Sequence, residues 1–394
     1  MTSTWPRVLA HGDHAVLVEY VPEVGEAMSA RVFGLDAALA SLSGVIETVP
    51  AFRSVLAVYD PALTTYRALA RDALNLAQTV APVDPARSAV IEVPVTYGGA
   101  AGPDLDAVAA SCGITPEEVI RLHSGRVYLA HMIGFAPGFP YLGVLPDALR
   151  LPRRASPRTR VPEGSVAVAD RFTGVYPQET PGGWHLIGRT AVRVFDRDRD
   201  PAWLIGPGDR VRFVPVAAGA ASYSPMPETD APTAQPVLGV ARAGLLTTIQ
   251  DLGRTGWRRF GIPTSGAVDV DACRRANAVL GNDPAAAVLE CAFPGPTLRA
   301  LAPVVVAVAG ADFDARVGGE PLATDTPVRL RAGDTLTFQA PRSGQWAYVA
   351  VAGGIDVPVD FGSRSTFARG GLGGHRGRPL RVGDVIGRAE PRGG

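Results

Sequence analysis

The sequence predicts an α+β protein, with a small βαββα domain followed by mostly β barrel domains. Two strongly apolar helical periodicities interleaved with alternating strands fill the first 85 residues. Beyond them, short apolar runs are broken at close spacing by Gly and Pro, which number 45 and 35 in the 394 residues. A Pro-rich stretch without periodicity at 217–236 (AAGAASYSPMPETDAPTAQP, from residue 217) separates two such regions. The expected organisation is 1–85 as the α+β domain, 86–216 as a barrel, 217–236 as a linker and 237–394 as a further mostly β block.

In chain order, residues 14–21 (HAVLVEYV) alternate as a strand, and 25–43 place Met28, Val32, Leu35, Leu39 and Leu42 at helical spacing. Strands are expected at 45–50 and 54–59. Asp60–Pro61 reads as the start of a second helix over 62–76, with Leu63, Tyr66, Leu69 and Leu74 on its apolar side. That order packs helices on one face of an antiparallel sheet. Residues 90–96 begin the second block. Thr115-Pro116-Glu117-Glu118 is a helix start, with a hydroxyl cap, Pro at the first position and acids in the first turn. Strands at 127–133, 192–195 and 210–214 then suit a closed or nearly closed barrel. In the last block, strands are expected at 304–308, 334–338 and 346–350, and one helix at 269–280.

Composition excludes several functions. Lys+Arg and Asp+Glu are both 38, which argues against nucleic acid or an anionic membrane as partner. Three distant cysteines, Cys112, Cys273 and Cys291, form neither a disulfide framework nor a zinc pattern, and fit a reducing compartment. His11 and His14 have no third ligand nearby and read as a turn and a strand edge, so no metal site is expected. Neither a signal peptide nor a membrane-spanning run is visible, so the expected location is the cytoplasm. The chain contains no lysine. It therefore has no Walker-A lysine, no Schiff-base lysine and no lysine to carry biotin.

The chemistry is expected between His131 and Thr190. Residues 134–141 (GFAPGFPY) follow a strand and form a rigid wall. Phe135 and Phe139 read first as packing, and Tyr141 equally as packing or ligand contact. Arg150, Arg153, Arg154, Arg158 and Arg160 are opposed locally only by Asp147 and Glu163, and Pro152 and Pro157 hold the run extended. Arginine suits bidentate capture of carboxylate or phosphate, each charge-assisted bond contributing about 1.5–3 kcal/mol. For one such Arg a solvated rim is the simpler reading; the cluster together is read as an anion site. Thr180-Pro181-Gly182-Gly183-Trp184 is expected to form a tight turn whose amides make an anion nest. His185 is an acid–base candidate without an identifiable partner, and Ser165 lacks the setting of a nucleophile elbow.

These stretches resemble a known family. GFAPGFPYLG, PRRASPRTRVPEGSV, TGVYPQETPGGWHLIGRT and PGDRVRF, with GDHAVLVEY and GVIETVPAF before them, are similar to the 5-oxoprolinase B subunit, also called allophanate hydrolase subunit 1. After residue 236, the segments GLLTTIQDLGRTGWRRFGIPTSGAVDVDACRRANAVLGND, LECAFPGPTL and GGLGGHRGRPLRVGD resemble the C subunit of the same enzyme. The resemblance implies a B–C fusion, as in the carboxyltransferase domain of urea carboxylase, with the C part shortened to its N-terminal half. It implies cyclophilin-like barrels. It points to Phe135, Tyr141, Arg153, Arg158, Gly182, Gly183 and Arg189 as substrate- or anion-binding residues, and to Asp251, Ser265 and Asp269 in the C-like part. Asp251 and Asp269 read equally as turn and helix-cap residues, and no catalytic residue is assigned.

The resemblance further implies a component of ATP-dependent 5-oxoprolinase, which opens 5-oxo-L-proline to L-glutamate. ATP with Mg is the implied cofactor, the 5-oxoprolinase A subunit the implied separate partner, and a homo-oligomer is compatible with it. Carboxyl transfer from carboxybiotin to urea or a similar amide is the alternative; biotin would then ride on another chain. A non-catalytic inhibitor of a histidine kinase is the third reading.

Overall fold

The computed structural model describes residues 5–83, 89–217 and 235–388. Two compact units emerge. The first comprises the described residues of Met1–Met226 together with Thr255–Ile262, and the second those of Pro227–Arg254 and Pro263–Gly394.

The first unit opens with a four-stranded antiparallel sheet in the order Arg7–Ala10, Ala15–Glu19, Ser54–Tyr59, Val45–Pro50. Helices Glu26–Ala40 and Tyr66–Thr79 both contribute to one cluster with Val16, Val18, Val55 and Ala57, which puts them on a shared face. Two details differ from the expected βαββα order. Arg7–Ala10 is an additional edge strand; its residues are mostly exposed, so it lacks the alternation that marks a half-buried strand. It is held by its ladder to Ala15–Glu19 and by the Arg7 guanidinium donating to Glu19 at 2.7 Å. The second helix starts at Tyr66, not at 62, because Thr65 Oγ1 accepts from Ala68 N and so caps it. Asp60 instead accepts from Ala62 N in a turn, which leaves Leu63 70% exposed. Of the four residues expected on the apolar side, only Leu69 is buried.

A closed barrel follows. Its seven strands run Phe172–Val175, Pro140–Gly143, Val127–Ile133, Arg210–Pro215, Val90–Tyr97, His185–Arg189 and Ser165–Ala169 around the wall. Arg210–Pro215 pairs parallel with Val90–Tyr97 and antiparallel with Val127–Ile133. The expected helix is present as Pro116–Ser124, with Thr115 accepting from Glu118 N at 3.2 Å. A second helix, Leu105–Cys112, precedes it. The strand expected at 192–195 is absent. That stretch makes only an isolated bridge from Phe195 to Trp203, and Arg199 holds its loop by donating to the carbonyls of Pro201, Arg193 and Ala202.

Inside the barrel, His123 is fully buried, 2.8 Å from Thr173 Oγ1 and 2.7 Å from Tyr97 Oη. The Thr173 hydroxyl spends its proton on Ala167 O, so His123 Nε2 donates to Thr173 and Nδ1 accepts from Tyr97. His131, also buried, meets Ser29 Oγ at 2.7 Å through Nδ1 and so ties the first helix to the barrel. Burial lowers both imidazoles, His123 to about 3 and His131 to about 4.

The second unit is mostly β. A seven-stranded sheet containing Gln235–Arg242, Thr297–Ala300 and Thr335–Phe338 shares a core with a five-stranded sheet containing Val288–Ala292, Val304–Asp312 and Ser343–Val351. Gln235 already opens a strand, and the rest of the expected linker lies largely outside the described residues. The helix here is Val270–Val279, with Asp269 accepting from Ala272 N at 2.9 Å as its cap. Among the described residues no helix is long and apolar enough to cross a membrane.

Candidate functional site

The barrel wall builds a small aromatic cavity of about 50 Å3, lined by Phe135, Phe139, Tyr141, Tyr176, Trp184, Arg153, Gly182 and Gly183. Phe139 sits at its floor, 1% exposed, in edge-to-face contact with Tyr141, Tyr176 and Trp184 at centroid separations of 5.2, 5.2 and 5.5 Å. Phe135 packs one side edge-on to Phe139 at 5.4 Å and leaves the rest of its ring, 49% exposed, at the rim, with its backbone in the left-handed region at φ 68. Burial raises the phenols of Tyr141 and Tyr176, the latter to about 12, against the pull of the Arg153 charge. Both therefore remain protonated hydroxyls at neutral pH.

The Gly182-Gly183 pair contributes differently from the expected nest. Thr180–Gly182 is a strand paired with Arg158–Val161, and neither glycine has positive φ. A Cβ on Gly182 would lie 2.4 Å from Tyr176 Oη, so the residue is small in order to let that phenol reach the wall. The Gly183 carbonyl accepts from Arg154 N at 2.8 Å.

Most of the arginine run is engaged by acids, chiefly from elsewhere in the sequence, which corrects the picture of a bare cationic cluster. Asp104, 5% exposed, takes both Arg158 donors at 2.8 Å, Arg154 at 3.0 Å and Leu186 N at 2.7 Å. Burial pushes the Asp104 carboxyl up, but the Arg158 and Leu186 hydrogen bonds outweigh it and hold the group below the usual carboxylate range. Arg160 is bidentate to Glu179, and Arg150 pairs with Asp147 at 2.7 Å. Arg153 is different: it is 61% exposed at the cavity rim, and its one ion pair among the described residues is a 3.4 Å contact with the half-exposed Asp170. It is the guanidinium of the run that a ligand can recruit at little cost.

Of the expected binding residues, the fold thus gathers Phe135, Tyr141, Arg153, Gly182 and Gly183 around one cavity. Arg158 serves Asp104, and Arg189 Nε donates to Glu163 O at 2.9 Å. His185 Nε2 donates to Pro152 O at 2.9 Å, and Ser165 Oγ donates to Pro162 O. Sequence reasoning missed Tyr176 and Asp104 as residues of this region. Tyr176 lay in the quoted TGVYPQ stretch, whereas a lone acid in AAGPDLD carried no signal.

In the second unit, Asp251 accepts from Ser363 Oγ, Ser365 Oγ, Arg364 N and Gly253 N at 2.5–2.8 Å, which makes it a turn organiser. Asp269 is the helix cap described above, and Ser265 sits at φ 52 beside Gly266. Asp251 borders a larger cavity of about 730 Å3, lined also by Asn282, Asp283, Gly353, Gly354 and Arg364. Among the described residues no group of three or more His, Cys, Asp or Glu could hold a metal.

Comparison with known proteins fits this arrangement. Residues 6–205 match the family model described as carboxyltransferase domain, subdomain C and D, and residues 260–393 match carboxyltransferase domain, subdomain A and B. The chain belongs to the carboxyltransferase-domain family. Within this family it is 44% identical to the 5-oxoprolinase B subunit of Escherichia coli O157:H7, over 53% of the chain and 95% of that relative. It is 42% identical to the 5-oxoprolinase C subunit of Escherichia coli K12, over 38% of the chain and 48% of that relative. The crystal structure of TTHA0988 superposes with a TM-score of 0.82 at 37% identity, covering 96% of this chain and 75% of that one. A part like the 5-oxoprolinase B subunit and a part like its C subunit are therefore joined in one carboxyltransferase-domain chain.

Proposed function

We propose that this chain is a component of ATP-dependent 5-oxoprolinase, and that the lactam docks at the mouth of the aromatic cavity, whose interior of about 50 Å3 takes only part of it. The observation that carries the reading is an aromatic cavity with one weakly engaged guanidinium at its rim, in the part of the chain that is similar to the 5-oxoprolinase B subunit. The five-membered lactam ring suits edge and face contacts with the half-exposed Phe135 ring and with Tyr141 at the rim. Its carboxylate suits a fork from Arg153. The protonated Tyr141 hydroxyl would donate to the lactam carbonyl oxygen, where negative charge grows as the amide is attacked. Amide resonance makes that carbonyl a poor electrophile, which is the reason ATP is needed in this reading.

ATP itself does not fit the described residues of either unit. The first cavity is too small for a nucleotide, and Arg153 is the one guanidinium in its lining. The second has the room, but its wall offers one guanidinium, Arg364, alongside Asp251 and Asp283. The 5-oxoprolinase A subunit is part of the proposal because the two parts of the chain are similar to the B and C subunits of that enzyme, and no step is routed through the nucleotide.

The test is glutamate formation from 5-oxo-L-proline and ATP by this chain together with a 5-oxoprolinase A subunit, with neither sufficient alone. The family description favours a second reading, carboxyl transfer, and a relative named urea amidolyase suggests urea or a similar amide as the acceptor. Consumption of a carboxylated biotin carrier in the presence of urea, with no glutamate formed, would decide for it.

A further inference from the structure

The segment TGWRRFGI, similar in sequence to the 5-oxoprolinase C subunit, belongs structurally to the first unit, although residues 254 and 263 on either side belong to the second. Its docking has two parts. On the small domain, the buried Glu47 accepts from Gly256 N at 2.8 Å and from the Arg258 guanidinium, and Asp36 accepts from Arg259 at 2.8 Å. On the barrel, Phe260 stacks on Trp203, with ring planes 13° apart.

The same segment reaches the loop that carries the aromatic cavity. Within that loop Gly134 N, Ala136 N and Phe139 N donate to carbonyls of the loop itself, whereas Gly138 N donates to Phe260 O at 2.9 Å. Gly261 lies against the loop from outside, at φ 77, where a Cβ would come 2.4 Å from Ala136 O. Phe135, Phe139 and Tyr141 all leave from this loop or its end, so a shift of Gly138 would move the rim and the floor of the cavity together.

We infer that Thr255–Ile262 is a clamp that sets the shape of the 134–141 loop, with Phe260 and Gly261 as positioning residues for the aromatic cavity. Carboxylates of the small domain hold the clamp by its arginines, and its backbone holds the loop. The functional part of this inference rests on the cavity being the lactam site.

Hydrogen–deuterium exchange on the full chain tests it, with Gly261→Ala to wedge the clamp from the loop and Glu47→Gln to weaken its anchor. The expected result is at least tenfold faster exchange across 134–141 in both variants, with strands Ser165–Ala169 and His185–Arg189 unchanged. Faster exchange in 255–262 with 134–141 unaltered would overturn the clamp. Should Gly261→Ala loosen the whole barrel, the same comparison in Glu47→Gln decides. The KM for 5-oxo-L-proline should rise at least tenfold with kcat held. A loosened loop with unchanged KM would leave the clamp standing and remove the lactam from this cavity.

Discussion

Arg153 and Arg158 lie five residues apart, yet removing them should have opposite consequences. Arg153 is 61% exposed and 3.4 Å from a half-exposed Asp170, so Arg153→Ala should change stability by less than about 0.5 kcal/mol. If it forks a substrate carboxylate, the loss of about 1.5–3 kcal/mol raises KM by roughly 10- to 150-fold. Arg158 is bidentate to a 5%-exposed Asp104. Removing one partner of a buried pair costs about 3–5 kcal/mol, discounted here to about 1–3 because the Arg158 side chain is 25% exposed and Arg154 stays bonded to Asp104. In a unit of this size that lowers Tm by roughly 2–12 °C. Thermal unfolding and steady-state kinetics on the two variants measure both quantities. A large Tm drop in Arg153→Ala with unchanged KM, or the converse in Arg158→Ala, would refute the division of labour.

Gly182→Ala places a methyl against the buried Tyr176 phenol and pushes it toward the cavity, so KM should rise at least tenfold while calorimetry finds a stability loss of about 1–3 kcal/mol. Ser29→Ala leaves His131 Nδ1 buried without its partner and should cost about 1–3 kcal/mol in a urea titration. Acid should destabilise the first unit early. His123 and His131 have folded pKa values below the ordinary 6.5, so the unfolded chain binds more protons and stability falls as pH drops below about 6.5. For two imidazoles the loss is about 2 kcal/mol between pH 6.5 and 5.5, readable from denaturant midpoints. Asp104, held below its unfolded value, keeps its contribution above that value and loses it only as pH falls further, through its own folded pKa.

The elements that could be read from sequence were those whose signals are local. Thr115 with Pro116, Asp269 before its helix and the alternating strand Val90–Tyr97 all announce themselves within a few residues. Arg7–Ala10 did not, because an edge strand exposed on both faces has no apolar period. Leu105–Cys112 is only eight residues long, and its buried Leu105, Val108 and Ala109 give a weak period, although Gly113 in the left-handed region closes it as a cap residue would. The aromatic and glycine composition of the cavity was legible in GFAPGFPY and TPGGW. The pairing of the arginines was not, since Asp104 lies 50 residues before Arg154 and 54 before Arg158. Nor could the sequence place Thr255–Ile262 on Glu47, more than 200 residues earlier. Carboxylates chosen by tertiary structure decide which arginines are committed and which remain recruitable.

The most direct measurement is ATP hydrolysis by this chain with a 5-oxoprolinase A subunit, followed with and without 5-oxo-L-proline, for the wild type and Arg153→Ala. The account predicts hydrolysis that depends on 5-oxoproline, with the variant needing at least tenfold more of it for half-maximal rate. Hydrolysis indifferent to 5-oxoproline, or an identical concentration dependence in the variant, would contradict it.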